Sequence, residues 1–378
     1  MKKILIVIND FSVGGTIACL ESLLSVIDSN RVKCDIFARQ KSGALISRFA
    51  NYTILPENIW LSYKIIEGNI KQKIFSRFLW FIRGVFEILG IDMYKLYGGI
   101  GGKQVGTNHY DAVIGFDETL PRIISSYPAK KRISWLHCDY RRHVESTSEA
   151  KYFRIINFIV CVSEFAKHSF VEVLPEFEYK TVVIRNAINI KDIRLKSEQV
   201  TPEVDSFFKE DEKKFTLISI GRLDPVKQFE KIPALAFEVK RLLKGTHKFQ
   251  WLIIGGGNDR VKSEIENEIE KHGVCDEVKL LGMQSNPYPY LAKSDLYVCT
   301  SLSETFSYTI HEGLALKKPF LCNAFLGASE AIQVGQEGFV LPLVDMPNKI
   351  YELICHPLVI RDCTISNDEI LEKFYSLI

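Results

Sequence analysis

The chain has 378 residues, more than one hydrophobic core usually serves, so two domains are expected. Its composition, 47% hydrophobic and 25% charged, is that of an ordinary globular protein, and a net charge of +2 exerts no global pull on nucleic acid. Nine cysteines without a C-x-x-C pair argue against a disulfide framework or a zinc ribbon and fit a reducing cytoplasm.

The chain begins MKKILIVIND, with five apolar residues between the lysines and Asn9. That run is too short for a membrane span or a signal core and reads as a first buried strand, residues 4–8. The loop that follows ends in Gly14 and Gly15 and leads into a helix with apolar positions at Leu20, Leu23, Leu24 and Ile27. Gly15 in such a turn lets backbone amides approach an anion, while a Gly-Gly pair also serves a tight connection. Neither the G-x-G-x-x-G spacing of dinucleotide sites nor the lysine of a P-loop is present.

Residues 33–39 read as a second strand, and α/β alternation continues to another at 110–116. Between them, residues 64–103 hold seven Lys or Arg against three acids, an excess of +4. Ile74, Phe75, Phe78, Phe81, Ile82, Val85, Phe86 and Leu89 follow helical spacing there, and Arg77, Arg83 and Glu87 interrupt any membrane span. Two readings fit: a core helix of the first domain whose basic side chains reach solvent, or a surface that touches an anionic membrane.

Residues 131–138, KRISWLHC, read as a strand that delivers His137 to its carboxyl end, where open α/β sheets bind ligands. A histidine in an apolar segment also reads as a core residue. Strand 158–162 follows, with Ser163 capping a helix, and strand 181–186 closes the first sheet. Residues 189–214 form a polar linker containing Pro202 and KEDEKK.

Beyond the linker, strand 215–220 runs into the loop GRLDPVK. Arg222, a planar fork, and Lys227, a point charge, stand five residues apart in it and together suit a dianion; in isolation they read as solvated surface charges. Strand 251–254 is followed by Gly255-Gly256-Gly257, a tight turn and a place where a nucleotide can approach the backbone. Strand 278–281 precedes Gly282 and Met283. After a strand at 295–300 comes SLSETFSYTIHEGLALKKP, residues 301–319, in which Glu304 and Glu312 have seven residues between them. Ser307 or Thr305 can cap the helix expected there, whose first-turn amides form an anion site, and Pro319 stops it. Glu312 falls a turn into that helix and leans toward its N-terminus, so both carboxylates converge on one spot around a docked anion such as a diphosphate. A surface helix with two solvated glutamates is the alternative. Strands 320–323 and 338–341 and a helix over 368–377 complete the chain.

Residues 301–319 resemble the E-x7-E signature of retaining glycosyltransferases of family 4, of the capsule or surface-polysaccharide type, whose fold is GT-B: two doubly wound Rossmann-like α/β domains facing an interdomain cleft. The resemblance implies that Glu304 contacts the donor sugar, Glu312 the ribose, and Ser307, Tyr308 and Thr309 the phosphates. Residues 221–227 resemble the family's G-R-L-x-x-x-K element, which implies Arg222 and Lys227 as phosphate ligands. W-L-H-C-D-Y resembles the W-I-H-x-D stretch of capsule-type members, implying His137 near the donor sugar and Asp139 and Tyr140 on the acceptor side. It further implies that Gly15 lies in the loop facing the cleft, that Asn186 lies at the hinge, and that backbone groups at Met283 hold the base, with Gly255 beside the nucleotide. The chain departs from the family at Thr16 and Ile17, and at Thr305 and Ser307, where glycines are common.

The expected organisation is an acceptor-side domain over 1–188, a nucleotide-sugar domain over 189–360 and a terminal helix over 361–378 packing back toward the first. The expected activity is retaining, metal-independent transfer of a hexose-type sugar from a nucleotide diphosphate sugar, with UDP the expected carrier. The acceptor is a glycan or a lipid-linked glycan in bacterial surface-polysaccharide synthesis. No cofactor and no nucleic-acid partner is expected, and no D-x-D triplet occurs. The expected location is the cytoplasm, with peripheral contact to the inner face of the cell membrane through 64–103. Two alternatives share the fold: a nucleotide-sugar epimerase or sugar phosphorylase, and a non-catalytic partner subunit of another glycosyltransferase.

Overall fold

The computed structural model describes residues 1–12, 14–57, 70–89, 91, 110–125, 127–143, 150–208, 214–325, 327–331, 336–360 and 365–378. They form two compact units, Met1–Ala187 with Asn367–Ile378, and Ile188–Ser366.

The first unit is built on β1 (Lys2–Ile8), β2 (Val32–Ala38), β3 (Thr53–Ile54), β4 (Tyr110–Gly115), β5 (Ala129–Leu136), β6 (Phe158–Cys161) and β7 (Thr181–Val183). They pair in parallel in the order β3-β2-β1-β4-β5-β6-β7. A parallel strand covered on both faces needs a continuous apolar run, and residues 4–8 of β1 are at most 1% exposed. Strand order reverses on either side of β1, so the carboxyl ends of β1 and β4 flank a topological switch point. Helix α1 (Gly15–Val26) buries Leu20, Leu23 and Leu24. Helix α2 (Ile70–Ile88), with Leu89 and Ile91, is the described part of the basic segment; residues 64–69, 90 and 92–103 lie outside the described residues. Helix α3 (Glu164–Val173) begins at Ser163, whose hydroxyl accepts from the Ala166 amide at 3.0 Å, a cap worth about 1 kcal/mol.

The second unit opens on helix α4 (Ile190–Ser197), within residues expected to be linker. Asn189 caps it by accepting from the Asp192 amide, and Ile193 is buried with Ile188 and Ala315. A second short helix, Pro202–Ser206, is capped by Thr201. The polar composition that suggested a linker consists in part of caps.

Strands β8 (Phe215–Ile220), β9 (Phe249–Ile254), β10 (Val278–Leu280), β11 (Leu296–Cys299), β12 (Phe320–Asn323) and β13 (Gly338–Leu341) form a parallel sheet in the order β10-β9-β8-β11-β12-β13. Alternate strand residues feed two cores. Leu217, Trp251, Ile253 and Val298 meet helices α5 (Ile232–Leu243) and α6 (Asp259–His272) on one face. Ile218, Leu252, Tyr297 and Phe320 meet α7 (Tyr288–Lys293) and α8 (Tyr308–Ala315) on the other. The buried Trp251 indole donates to Ser219 Oγ at 3.0 Å, and Ser219 donates to the Val298 carbonyl at 2.6 Å, so these polar groups are satisfied inside the core. The switch point of this sheet lies between β8 and β11.

The last helix, α9 (Asp368–Leu377), belongs to the first unit. Phe374 is fully buried with its ring 6.2 Å from Trp135, and the Tyr375 hydroxyl accepts from the Asp28 amide at 2.9 Å while Arg31 lies over its ring.

Candidate functional site

The loops after β8 and β9 are laced together by backbone. Gly221 N donates to the Ile254 carbonyl and Leu223 N to the Gly256 carbonyl, each at 3.0 Å. A Cβ on Gly255 would lie 1.8 Å from the Gly221 oxygen, so only glycine lets the two loops meet. Met283, expected beside the base, is 81% exposed and lies against Gly256.

The loop after β8 tightens into a single turn, Pro225–Lys227, capped by Asp224, whose Oδ1 accepts from the Val226 amide at 3.0 Å. The loop leaving β11 is tied to that turn: Leu302 N donates to the Val226 carbonyl at 2.8 Å and Thr300 Oγ1 to the Lys227 carbonyl at 2.6 Å. These bonds across the switch point bring Lys227 Nζ to 2.5 Å from Glu304 Oε1. Ser301 Oγ donates to the same oxygen at 2.7 Å, and Asn323 Nδ2 holds the Ser301 carbonyl at 2.9 Å. The two charged side chains are only 20% and 14% exposed. Arg222 is exposed and makes no ion pair among the described residues.

Ser307 occupies the N-cap of α8 with extended backbone, but its side chain makes no capping bond, contrary to the expectation for a serine there. Its carbonyl is engaged instead by His311 Nδ1 at 2.8 Å, and the His311 ring stacks on Phe306 at 4.1 Å. Tyr308 and Thr309 open the helix, where first-turn amides can serve an anion. Glu312 follows in the second turn, and the Tyr288 hydroxyl of α7 donates to its Oε1 at 2.9 Å. Burial holds the Glu312 carboxyl above its ordinary range, against the opposing pull of Tyr288 and Lys196.

In the first unit, Gly15 is the first residue of α1, with open space where its Cβ would be. His137 follows β5 directly, its ring 4.7 Å from that of Phe116 and its amide donating to Glu118 Oε2 at 3.3 Å. Burial pushes the imidazole down to about 3, so it is neutral at pH 7. Asp139 is bound by Arg141 at 2.9 Å and Arg142 at 3.6 Å. Tyr140, expected on the acceptor side, is a core residue: it is fully buried, with its ring 4.9 Å edge-on to Phe170. Its aromatic bulk next to the apolar α3 outweighs its single hydroxyl. Asn186 is buried and accepts from the Cys19 thiol at 2.7 Å.

Three groups escaped the sequence reading. Tyr288 under Glu312 and Ser301 beside Glu304 are set by contacts that no local spacing announces. The third lies at the first switch point: Asn9 donates to Thr119 at 2.9 Å and accepts from the nearly buried Arg39 at 3.0 Å, and Thr119 donates to Asp117. Asn9, Arg39 and Asp117 stand at or just past the ends of β1, β2 and β4, and that position was the available signal. Among the described residues, no group of three or more His, Cys, Asp or Glu could hold a metal ion.

Residues 201–352 match the family model described as Glycosyl transferases group 1. The chain is 26% identical over 309 residues to a Methanocaldococcus jannaschii protein described as an uncharacterised glycosyltransferase, covering 76% of this chain and 69% of that one. It is 28% identical over 173 residues, 46% of this chain and 43% of the other, to the Campylobacter jejuni N-acetylgalactosamine-N,N'-diacetylbacillosaminyl-diphospho-undecaprenol 4-alpha-N-acetylgalactosaminyltransferase. The crystal structure of Anabaena HepE in complex with UDP-glucose superposes with a TM-score of 0.66 at 16% identity, over 94% of this chain and 90% of that one. The fold is therefore GT-B, made of two Rossmann-like parallel α/β domains. The matched domain and these relatives support a glycosyltransferase.

Proposed function

We propose that this protein is a retaining glycosyltransferase of family 4 that transfers a hexose-type sugar from a UDP-linked donor, without a metal, to a glycan or lipid-linked acceptor in surface-polysaccharide synthesis on the inner face of the cell membrane. The observation that carries the reading is the Lys227–Glu304 pair. It couples the cation of the GRLDPVK loop to the first glutamate of the E-x7-E stretch. UDP-glucose in HepE and the diphospho-undecaprenol in the Campylobacter relative's name support the donor and acceptor classes.

In this mechanism the bond between the anomeric carbon and the diphosphate oxygen breaks, and negative charge develops on the departing diphosphate. Lys227, Arg222 and the amides of Tyr308 and Thr309 stabilise that charge; preorganised donors of this kind are usually the largest single catalytic contribution. Glu304, fixed by Ser301 and Lys227, accepts from a donor-sugar hydroxyl, and Glu312, fixed by Tyr288, accepts from the ribose. The acceptor hydroxyl forms the new bond on the face that UDP leaves, and its proton passes to the departing phosphate. No side-chain nucleophile takes part, in contrast to double displacement through a carboxylate. His137 offers a neutral hydrogen-bonding imidazole to a sugar hydroxyl.

The test is a panel of UDP-, GDP- and ADP-sugars, read for thermal stabilisation and release of free nucleotide. A single UDP-sugar that stabilises the protein and yields UDP is expected. Donor conversion with the nucleotide still attached to the sugar would favour the epimerase alternative, and no nucleotide-sugar binding would favour the partner-subunit alternative.

A further inference from the structure

Two cysteines that the mechanism does not use face each other beside the site. Cys299 ends β11, Cys322 stands one residue before the end of β12, and the two pair in register across these parallel neighbours. The other strand cysteines have no such partner: Cys34 stands opposite Ile4, and Cys161 lies between Leu136 and Val183. Cys299 and Cys322 both belong to the core on the α7 and α8 side of the sheet, so their side chains leave it on the same face. Neighbouring strands lie about 4.8 Å apart, within the Cα separation that a disulfide spans. Both thiols are free, with Cys299 3% exposed and Cys322 fully buried.

A buried thiol often serves only as a small hydrophobe. This pair is also connected to the first glutamate. Cys299 Sγ donates to Ser301 Oγ at 3.5 Å, and Ser301 Oγ donates to Glu304 Oε1 at 2.7 Å. Asn323, the chain neighbour of Cys322, holds the Ser301 carbonyl at 2.9 Å. The two thiols hydrogen-bond each other, and that contact holds the Cys299 thiol below its ordinary range and the Cys322 thiol above it. Because the thiolate is the nucleophile, Cys299 is the sulfur that reacts first and Cys322 the one that resolves.

The geometry points to Cys299 and Cys322 as a reversible oxidation site, at which a peroxide closes a disulfide that displaces Ser301 and Glu304 and slows transfer. The Cys299 thiolate attacks one peroxide oxygen, the O–O bond breaks, and a sulfenic acid forms. Cys322 then attacks that sulfur, the S–O bond breaks, and the disulfide forms. The two thiols give up two electrons and two protons, and the peroxide leaves as two waters. A small uncharged oxidant suits thiols this deeply buried. The sulfurs must close from hydrogen-bond contact to covalent distance, and the disulfide has no proton to donate to Ser301. Both changes fall on Ser301 and Asn323, which hold the first glutamate in place. The effect on transfer rests on the reading above, whereas formation of the bond does not.

The experiment treats the full chain with hydrogen peroxide, blocks the remaining thiols and maps unreduced tryptic peptides by mass spectrometry, with UDP release from the active donor measured in parallel. Peptides joined through Cys299 and Cys322 are expected. UDP release should fall by about tenfold or more, the scale of a small misplacement in an active site, and dithiothreitol should reverse both changes. Cys322→Ala should keep the activity of the reduced protein but recover none of it with dithiothreitol after peroxide, because Cys299 without a resolving thiol goes on to the sulfinic acid. Cys322→Ser serves if the alanine variant does not fold. No joined peptides, joined peptides with unchanged UDP release, or a wild-type loss and recovery in Cys322→Ala would overturn the inference. Joined peptides in a chain that releases no UDP even when reduced would count against the transfer reading alone.

Discussion

Lys227 and Glu304, seventy-seven positions apart, form a 2.5 Å ion pair whose two side chains are mostly withdrawn from water. The pair links the loop after β8 to the loop after β11, across the point where strand order reverses. A cation held this way is preorganised for a leaving diphosphate, because no rearrangement of the backbone is needed to present it.

Lys227→Ala should therefore lower kcat by about 10²-fold or more. It leaves the Glu304 carboxylate with the Ser301 hydroxyl at 2.7 Å and no longer beside a cation of that loop, at a stability cost of about 1–3 kcal/mol, so thermal unfolding must accompany the kinetics. A folded Lys227→Ala enzyme with wild-type turnover would remove Lys227 from the chemistry.

Glu312 supplies a pH prediction. Burial raises its folded-state pKa above the unfolded value, so the folded protein holds a proton that the unfolded chain releases more readily. The group's stabilising contribution is present below the unfolded pKa and is lost as pH rises through the raised one. In the proposed mechanism Glu312 accepts from a ribose hydroxyl, and its ionised form does so more strongly, so donor affinity should improve as pH rises over that same window. Tyr288→Phe removes the hydrogen bond that favours the carboxylate and should move the acid limb of kcat/KM to higher pH. An acid limb that stays in place would show that Glu312 does not ionise in the donor-binding step.

The legible part of this fold was the part written in continuous apolar runs. Residues 4–8 and 251–254 announce parallel strands because burial on both faces leaves no room for alternation. The two glutamates and the GRLDPVK cations were legible as types at a spacing, but the bond between Lys227 and Glu304 is a long-range contact that local pattern does not encode. Asn189 and Thr201 were hidden because a capping side chain and a linker side chain are the same residue types. Tyr140 differs in the other direction, since the resemblance of W-L-H-C-D-Y set it on the acceptor side and the structure buries its ring in the core. Helical period in α2 was clear, yet period alone does not say whether the apolar face meets protein, lipid or water.

Gly255→Ala tests the close approach of the loops after β8 and β9. Its methyl would meet the Gly221 carbonyl at 1.8 Å, so the loops must separate and carry Arg222 away from its place. Overpacking of this kind typically costs about 1–3 kcal/mol, and donor affinity should fall more steeply than stability. Unchanged donor binding in Gly255→Ala, measured by calorimetry, would separate the triple glycine from the nucleotide.

Turnover should survive chelation if, as proposed, Lys227, Arg222 and the helix amides supply the positive charge. The measurement is UDP release with and without EDTA. Loss of turnover in EDTA, restored by magnesium or manganese, would contradict the charge assignment.

The central claim is transfer with retention through the pair of Lys227 and Glu304, and proton NMR of early turnover tests it most directly. With the active UDP-α-sugar and no added metal, UDP and the α-anomer of the transferred or released sugar should grow together, and both should vanish in Lys227→Ala. A β-anomeric product, or sugar chemistry with UDP still attached, would contradict the account.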